Sequence, residues 1–269
     1  MERSLGLMCG AGVLPARMAD EARRRGWRVV AFTFDGDGGL GKRADAVVSS
    51  RIAELNVVLD HLVREGIASV LFSGRFSMPD VLRVGAGADA AFRGFEARAR
   101  SRSGAAFVDA IIATLSARGI AVLDQRDFVG DWLVGPGCCT ARQPTEAEWS
   151  EARSGLAAAR MIAAARIGQT VVVRHGAVVA VEAVEGTTET VRRGAALGGP
   201  GSVVVKAVAP DHDYRFDAPA VGPETLAAAA AGGVALIAIE ANRVLLFDRP
   251  EALRIADAAG ISVIGIDTA

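Results

Sequence analysis

The chain has 269 residues, of which 51% are hydrophobic and 23% charged. That is enough for one large or two small domains with a substantial core, and it excludes a disordered chain. A net charge of -1 supplies no surplus of cations to hold a phosphate backbone, which excludes nucleic-acid binding as the main role.

Residues 5–9 read as a short apolar strand that ends in Gly10-Ala11-Gly12. A helix over 13–25 follows, with Pro15 in its first turn, where the missing N–H costs nothing. Residues 28–34 predict a second buried strand, followed by a Gly-rich loop over 35–41. Apolar spacing through Ile52, Leu55, Val58, Leu59 and Leu62 predicts a helix over 51–64, and residues 68–73 the next strand. A helix over 106–118 and a strand over 120–123 complete a βαβ alternation, the pattern of a parallel sheet with helices on both faces.

The Pro- and Gly-punctuated stretch 135–144 is the best linker candidate. Thr145 and Glu148 have capping-box spacing at the head of a helix over 145–166. Strands over 170–174 and 177–183 flank His175-Gly176 as a hairpin. A strand over 202–208, a polar segment over 210–223, a helix over 223–231, strands near 235–239 and 243–247, a helix over 249–259 and a strand over 261–266 follow. The expectation is an α/β protein: a Rossmann-like N-terminal domain over 1–140 and a second, mixed α/β catalytic domain over 141–269.

No stretch of 18 uncharged apolar residues predicts a membrane span, and no secretory leader is expected from the N-terminal residues. Three cysteines (Cys9, Cys138 and Cys139) without C-x-x-C spacing give neither a disulfide framework nor a zinc knuckle, and fit a reducing, cytoplasmic setting. His61 and His175 read as surface residues, and no G-x-S-x-G elbow is present.

Three features can carry chemistry. Gly10 and Gly12 stand between a strand and a helix N-terminus, where backbone amides suit a phosphate or carboxylate; Pro15 replaces the third glycine of a dinucleotide fingerprint, and an ordinary tight turn reads equally well. Glu182, Glu185 and Thr187 follow a strand, and Arg192 and Arg193 lie close enough in sequence to meet a diphosphate. Strict alternation would keep Glu182 and Glu185 on opposite faces, and a solvated turn is the competing reading.

The third feature is Pro210-Asp211-His212-Asp213-Tyr214-Arg215-Phe216-Asp217-Ala218-Pro219. In an extended segment Asp211, Asp213, Arg215 and Asp217 share one side, and clustered carboxylates of this kind suit Mg²⁺ or Mn²⁺. A charged loop with internal salt bridges is the alternative. Lys206, just upstream, is placed to meet a phosphate oxygen.

Together these pieces resemble the LpxI family, the UDP-2,3-diacylglucosamine pyrophosphatases of lipid A synthesis. The resemblance runs in order through Gly6-Leu7-Met8-Cys9-Gly10-Ala11-Gly12-Val13-Leu14-Pro15, Ser73-Gly74-Arg75 with Pro79, and Ile167-Gly168-Gln169. It is strongest in Val181-Glu182-Ala183-Val184-Glu185-Gly186-Thr187 and Arg215-Phe216-Asp217-Ala218-Pro219.

The resemblance implies two α/β domains with the lipid-linked nucleotide between them, and hydrolysis to UMP and 2,3-diacylglucosamine 1-phosphate. It also implies a divalent cation, Mg²⁺ or Mn²⁺, and peripheral work at the inner membrane surface. Asp217, in the R-x-D-x-P motif, becomes the first candidate catalytic and metal-holding residue, with Asp213 second and Glu185 a third metal candidate. Gly10, Gly12, Gly74, Thr187, Arg192, Lys206 and Arg215 are the expected substrate contacts.

Departures stand at Thr188, where the family has aspartate, at His212-Asp213, at Ala165-Arg166, and at Asn242, where the family has glycine. They leave room for a nucleotide-sugar-binding paralogue without hydrolysis, or a hydrolase of a soluble nucleotide-diphosphate sugar. A homo-oligomer is left open.

Overall fold

A computed structural model describes residues 3–34, 39–76, 84, 87–99 and 104–267. Part of the 35–41 loop and Pro79 lie outside the described residues. The chain forms two compact units: Met1–Val129 together with Asp213–Ala218, and Gly130–His212 together with Pro219–Ala269. The first crossing therefore falls at Val129/Gly130, upstream of the expected 140, and a short piece of the second half belongs to the first unit.

The first unit is built on a five-stranded sheet in the order β3-β2-β1-β4-β5: Arg3–Cys9 (β1), Trp27–Thr33 (β2), Ala46–Ser49 (β3), Ser69–Ser73 (β4) and Ala121–Val122 (β5). All pairings are parallel. This is the doubly wound order, with its topological switch point between β1 and β4. Helix α1 (Leu14–Arg24) carries Pro15 in its first turn and buries Met18, Ala19 and Ala22. Helices α2 (Leu55–Arg64), α3 (Ala90–Ala99) and α4 (Gly104–Ser116) follow.

Val58, Leu59 and Leu62 of α2 pack with Met8, Phe32, Val70 and Phe72 of the sheet and with Phe92 and Phe95 of α3. None of the buried α1 residues joins that cluster, as right-handed crossovers require: α1 covers the opposite face. The short helix α5 (Arg126–Val129) ends the first pass of the chain through this unit.

The second unit has a six-stranded mixed sheet in the order β6-β13-β11-β9-β7-β8. Its strands are Gly137–Cys138 (β6), Thr170–Arg174 (β7), Ala177–Val181 (β8), Val203–Lys206 (β9), Leu236–Glu240 (β11) and Ser262–Ile266 (β13). β9, β11 and β13 run parallel, and the flanking strands antiparallel. The stretch expected to be a linker thus contains an edge strand, β6, paired with β13.

Helix α6 (Glu146–Ala164) covers one face, pressing Ala152, Leu156 and Ala159 on Val171, Val205 and Leu236. Gly155 permits the contact, because a Cβ there would lie 2.5 Å from Val205 Cγ2. Helices α7 (Thr187–Gly198), α8 (Pro223–Ala231) and α9 (Arg249–Ala258) cover the other face around Val172, Val204, Ile237 and Val263. A parallel pair, β10 (Ala220–Val221) with β12 (Leu245–Leu246), lies outside the main sheet.

The capping box forms as its spacing predicts. Thr145 Oγ1 accepts from the Glu148 amide at 3.3 Å, and Glu148 Oε2 accepts from the Thr145 amide at 2.8 Å. Thr145→Ala is expected to destabilise the second unit by about 1 kcal/mol, read as a shift in its urea midpoint; no shift would mean that the cap contributes nothing.

Candidate functional site

At the switch point of the first unit the loops after β1 and β4 lie against each other. The Gly10 amide donates to Ser73 O at 2.8 Å, and Ala11 and Arg75 exchange backbone hydrogen bonds at 2.9 Å. A Cβ on Gly10 would sit 2.6 Å from Arg75 O, and one on Gly74, at φ +83°, 2.8 Å from Ala11 O. Gly10 and Gly74 therefore serve close backbone approach. Gly12, at φ +101°, turns the chain in open space into α1. Val13, at the α1 N-cap position, provides no capping side chain, and the first turn has no acidic residue. Beside this turn Cys9 is buried, which pushes its thiol pKa well up and leaves it protonated.

Asp213–Ala218 sits on the carboxyl edge of the same sheet. The Phe216 ring lies 4.4 Å from Phe72, Tyr214 O accepts from the Gln125 amide at 3.2 Å, and Arg126 stacks 4.1 Å over the Tyr214 ring. Residues 214–216 form a turn, so the extended, one-sided arrangement of Asp211, Asp213, Arg215 and Asp217 does not occur. Instead Asp213 folds back on its neighbour: it accepts from the Arg215 amide at 3.0 Å and from the guanidinium at 2.9 and 2.7 Å. That hydrogen bonding raises the Arg215 pKa, against some opposing desolvation. Asp124 and Arg126 repeat the pattern nearby; burial works to raise the Asp124 pKa, but the Arg126 bonds outweigh it and hold the carboxyl low. Asp211 is in the second unit, 3.5 Å from Arg166. Asp217 is exposed.

In the second unit a charged cluster occupies the end of the sheet where β8 and β9 finish. Lys206 is 4% exposed and Glu182 8% exposed. Lys206 Nζ donates to Thr187 Oγ1 at 2.7 Å and lies 3.9 Å from Glu182 Oε2. Thr187 Oγ1 donates to Glu182 Oε1 at 2.9 Å, and Glu182 Oε2 accepts from the Gln169 amide at 3.2 Å. This network ties the first residue of α7 to the sheet. Lys206 is thus an internal counter-charge rather than an exposed clamp.

β8 ends at Val181, and the alternation stops there: Val184, which would share the face of buried Glu182, is exposed, while Glu182 and Glu185 do differ as expected, one buried and the other exposed. Glu185 pairs with Arg193 at 2.6 Å and accepts from the Ala183 amide at 3.1 Å. These bonds outweigh its desolvation and keep its carboxyl below the usual range. Arg192 pairs with Glu189.

Glu240, which sequence reasoning passed over, ends β11 at 2% exposure. It accepts from Arg160 at 2.6 Å, Arg243 at 3.4 Å and the Val208 amide at 2.8 Å. Arg243 in turn donates to Ala209 O and Pro210 O. The signal was present in Leu236-Ile237-Ala238-Ile239-Glu240, a buried run closed by a carboxylate.

Among the described residues no three His, Cys, Asp or Glu side chains are gathered to hold a metal. Asp213 and Glu185 are each bound to an arginine, and Asp217 is exposed. One carboxylate completed by waters and substrate phosphates fits the habit of Mg²⁺.

The LpxI N-terminal domain matches residues 4–132 and the LpxI C-terminal domain residues 135–264. UDP-2,3-diacylglucosamine pyrophosphatase LpxI of Caulobacter vibrioides is 31% identical over 280 aligned positions, covering 98% of both chains. The chain belongs to the LpxI family. Solved structures are far more distant: CobK precorrin-6A reductase is 15% identical with a TM-score of 0.34, covering 99% of this chain and 88% of that one. N5-carboxyaminoimidazole synthetase from Staphylococcus aureus is 12% identical with a TM-score of 0.28, covering 64% of this chain and 38% of that one.

One departure from the LpxI pattern, Asn242, has a backbone explanation, and nothing in the structure explains Arg166. Asn242 takes φ +60°, the left-handed region that glycine adopts freely and asparagine tolerates best among other residues. Arg166, at φ +56°, occupies the same region just after α6. Thr188 bonds Thr225 of α8 at 3.1 Å and so ties two helices together where the LpxI pattern has an acid.

Proposed function

We propose that this protein hydrolyses the phosphoanhydride of UDP-2,3-diacylglucosamine, releasing UMP and 2,3-diacylglucosamine 1-phosphate. The observation that carries this reading is the full-length likeness to the Caulobacter pyrophosphatase. The R-x-D-x-P segment supports it, because it begins in a turn over residues 214–216 whose Phe216 ring packs on Phe72, and Asp217 beside it is exposed.

Asp217 has the position to orient an attacking water or to hold a cation. Arg215, kept charged by Asp213, supplies a fixed positive group two residues away. A divalent cation held by Asp217 would offset charge on the phosphate oxygens. No helix among the described residues is long and apolar enough to cross a membrane. Peripheral work at the cytoplasmic face of the inner membrane is part of this proposal and follows from the lipid substrate it names.

The test is UMP release from UDP-2,3-diacylglucosamine by the purified chain with Mg²⁺, with Mn²⁺ and with EDTA. Release that EDTA abolishes and Mg²⁺ restores is the expected result. A folded protein that binds the substrate without releasing UMP under either metal is a binding paralogue, and the hydrolase reading falls.

A further inference from the structure

Helices α2, α3 and α4 pack on the sheet face of the first unit away from α1, and they border a cavity of about 140 Å³. Pockets for drug-sized ligands begin at roughly 300 Å³, so this one suits a single small group. Leu59 of α2 and Phe95 of α3 give it an apolar wall. Its polar part is Arg98 of α3, Thr114 of α4 and Arg118 in the turn after α4.

The two arginines converge on one residue. Arg98 Nη1 donates to Thr114 Oγ1 at 2.6 Å, and Arg118 Nη1 donates to Thr114 O at 3.1 Å. Thr114 is 3% exposed and donates on to Ala110 O at 2.8 Å, which fixes this anchor in the helix. Among the described residues no carboxylate lines the cavity, and none pairs with either arginine. Two guanidinium groups so placed repel each other, and each keeps N–H donors beyond the one spent on Thr114. Gly94 of α3 also lines the cavity, and a Cβ there would meet nothing within 4 Å. Val63, one turn along α2 from Leu59, is 62% exposed.

We propose that this cavity receives the phosphodiester of an anionic phospholipid and so docks the first unit on a membrane surface. A tetrahedral phosphate presents oxygens to two guanidinium forks at once, whereas a planar carboxylate is filled by one. The apolar wall and Val63 suit the glycerol and first methylenes behind a lipid headgroup, which a free phosphate lacks. For the presence of a membrane the proposal rests on the pyrophosphatase reading, whose substrate is a lipid.

The test is sedimentation of the full-length protein with vesicles of phosphatidylcholine, alone or mixed with phosphatidylglycerol. Wild type is expected to bind the anionic vesicles and to be released as salt is raised. An arginine at an anionic surface strengthens partitioning about fivefold, so Arg98→Gln/Arg118→Gln is expected to bind roughly 30-fold more weakly. Arg153→Gln/Arg254→Gln makes the same charge change on exposed residues of the second unit and is expected to bind as wild type does. Gly94→Glu places a carboxylate at the cavity. It is expected to bind as weakly as the cavity double variant without lowering the thermal midpoint, because it replaces a helix-interior glycine with a better helix former.

Cavity variants that bind like wild type overturn the proposal. So does an equal loss in the second-unit variant, equal binding of wild type to neutral and anionic vesicles, or binding to neither. Calorimetry with inorganic phosphate covers the soluble source: arginine-dependent phosphate binding by a protein that ignores vesicles overturns the membrane assignment. UMP release from the lipid substrate, measured in detergent micelles and in anionic vesicles, separates the two readings. The cavity variants are expected to keep micellar release and lose vesicle release. Micellar release without vesicle binding removes the docking site and leaves the hydrolase. Cavity-dependent vesicle binding without UMP release removes the hydrolase and leaves the docking site.

Discussion

Asp217→Asn is expected to lower UMP release at least a hundredfold, in the range of about 10²–10⁴ for loss of a positioned acid–base group. The thermal midpoint should stay within about 2 °C of wild type, because the residue is exposed and exposed substitutions change stability by about 0.5 kcal/mol or less. Asp213→Asn makes the contrast: it removes charge from the Arg215 pair, so its effect arises through arginine placement and should be smaller. A Mg²⁺ titration of Asp217→Asn tells the two proposed roles apart. A cation-holding carboxylate shifts the Mg²⁺ midpoint upward, whereas a water-orienting one lowers kcat at saturating Mg²⁺. Full turnover by Asp217→Asn at ordinary Mg²⁺ would remove Asp217 from the chemistry.

Glu240→Ala is expected to cost the second unit about 3 kcal/mol. The carboxylate is almost fully buried and joins Arg160, Arg243 and the Val208 amide. Its removal leaves two half-buried guanidinium groups and a buried amide without their acceptor, and the arginines' partial exposure keeps the cost at the lower end of the range for broken buried pairs. Glu240→Gln keeps an acceptor for Val208 and should cost about half as much. Urea unfolding followed in the far ultraviolet checks both, and an alanine variant within about 1 kcal/mol of wild type would mean that water replaces the carboxylate. A loss of UMP release beyond the stability effect is also expected, because Val208, Ala209 and Pro210 lead into the segment that bears Asp217.

Local signals were read correctly from the sequence. The Gly10-Ala11-Gly12 turn, the Thr145 capping box and the His175-Gly176 hairpin each depend on a few adjacent residues, and the hairpin residues take the positive φ values, 51° and 78°, that a tight turn requires. Weak or non-local signals were not. β3 is four residues long, and α3 has Gly94 in its interior and little periodicity. β6 forms only because β13, far along the chain, offers an edge.

The acidic motif was legible as chemistry but not as geometry. Period-two reasoning assumed an extended segment, whereas the Phe216–Phe72 contact and the Asp213–Arg215 pair bend it into a turn. Lys206 looked like a clamp because sequence cannot show that Glu182 and Thr187 enclose it.

The return of Asp213–Ala218 to the first unit bears on how such a gene can be divided or shuffled. The two units are not beads on a string, since the chain passes between them at Val129/Gly130, His212/Asp213 and Ala218/Pro219. A fragment ending at Val129 lacks the ring that stacks on Phe72, and one beginning at Gly130 carries the R-x-D-x-P turn without its seat. Neither half is an autonomous module, so insertion, deletion or exchange of one half between relatives must carry a matched partner turn with it.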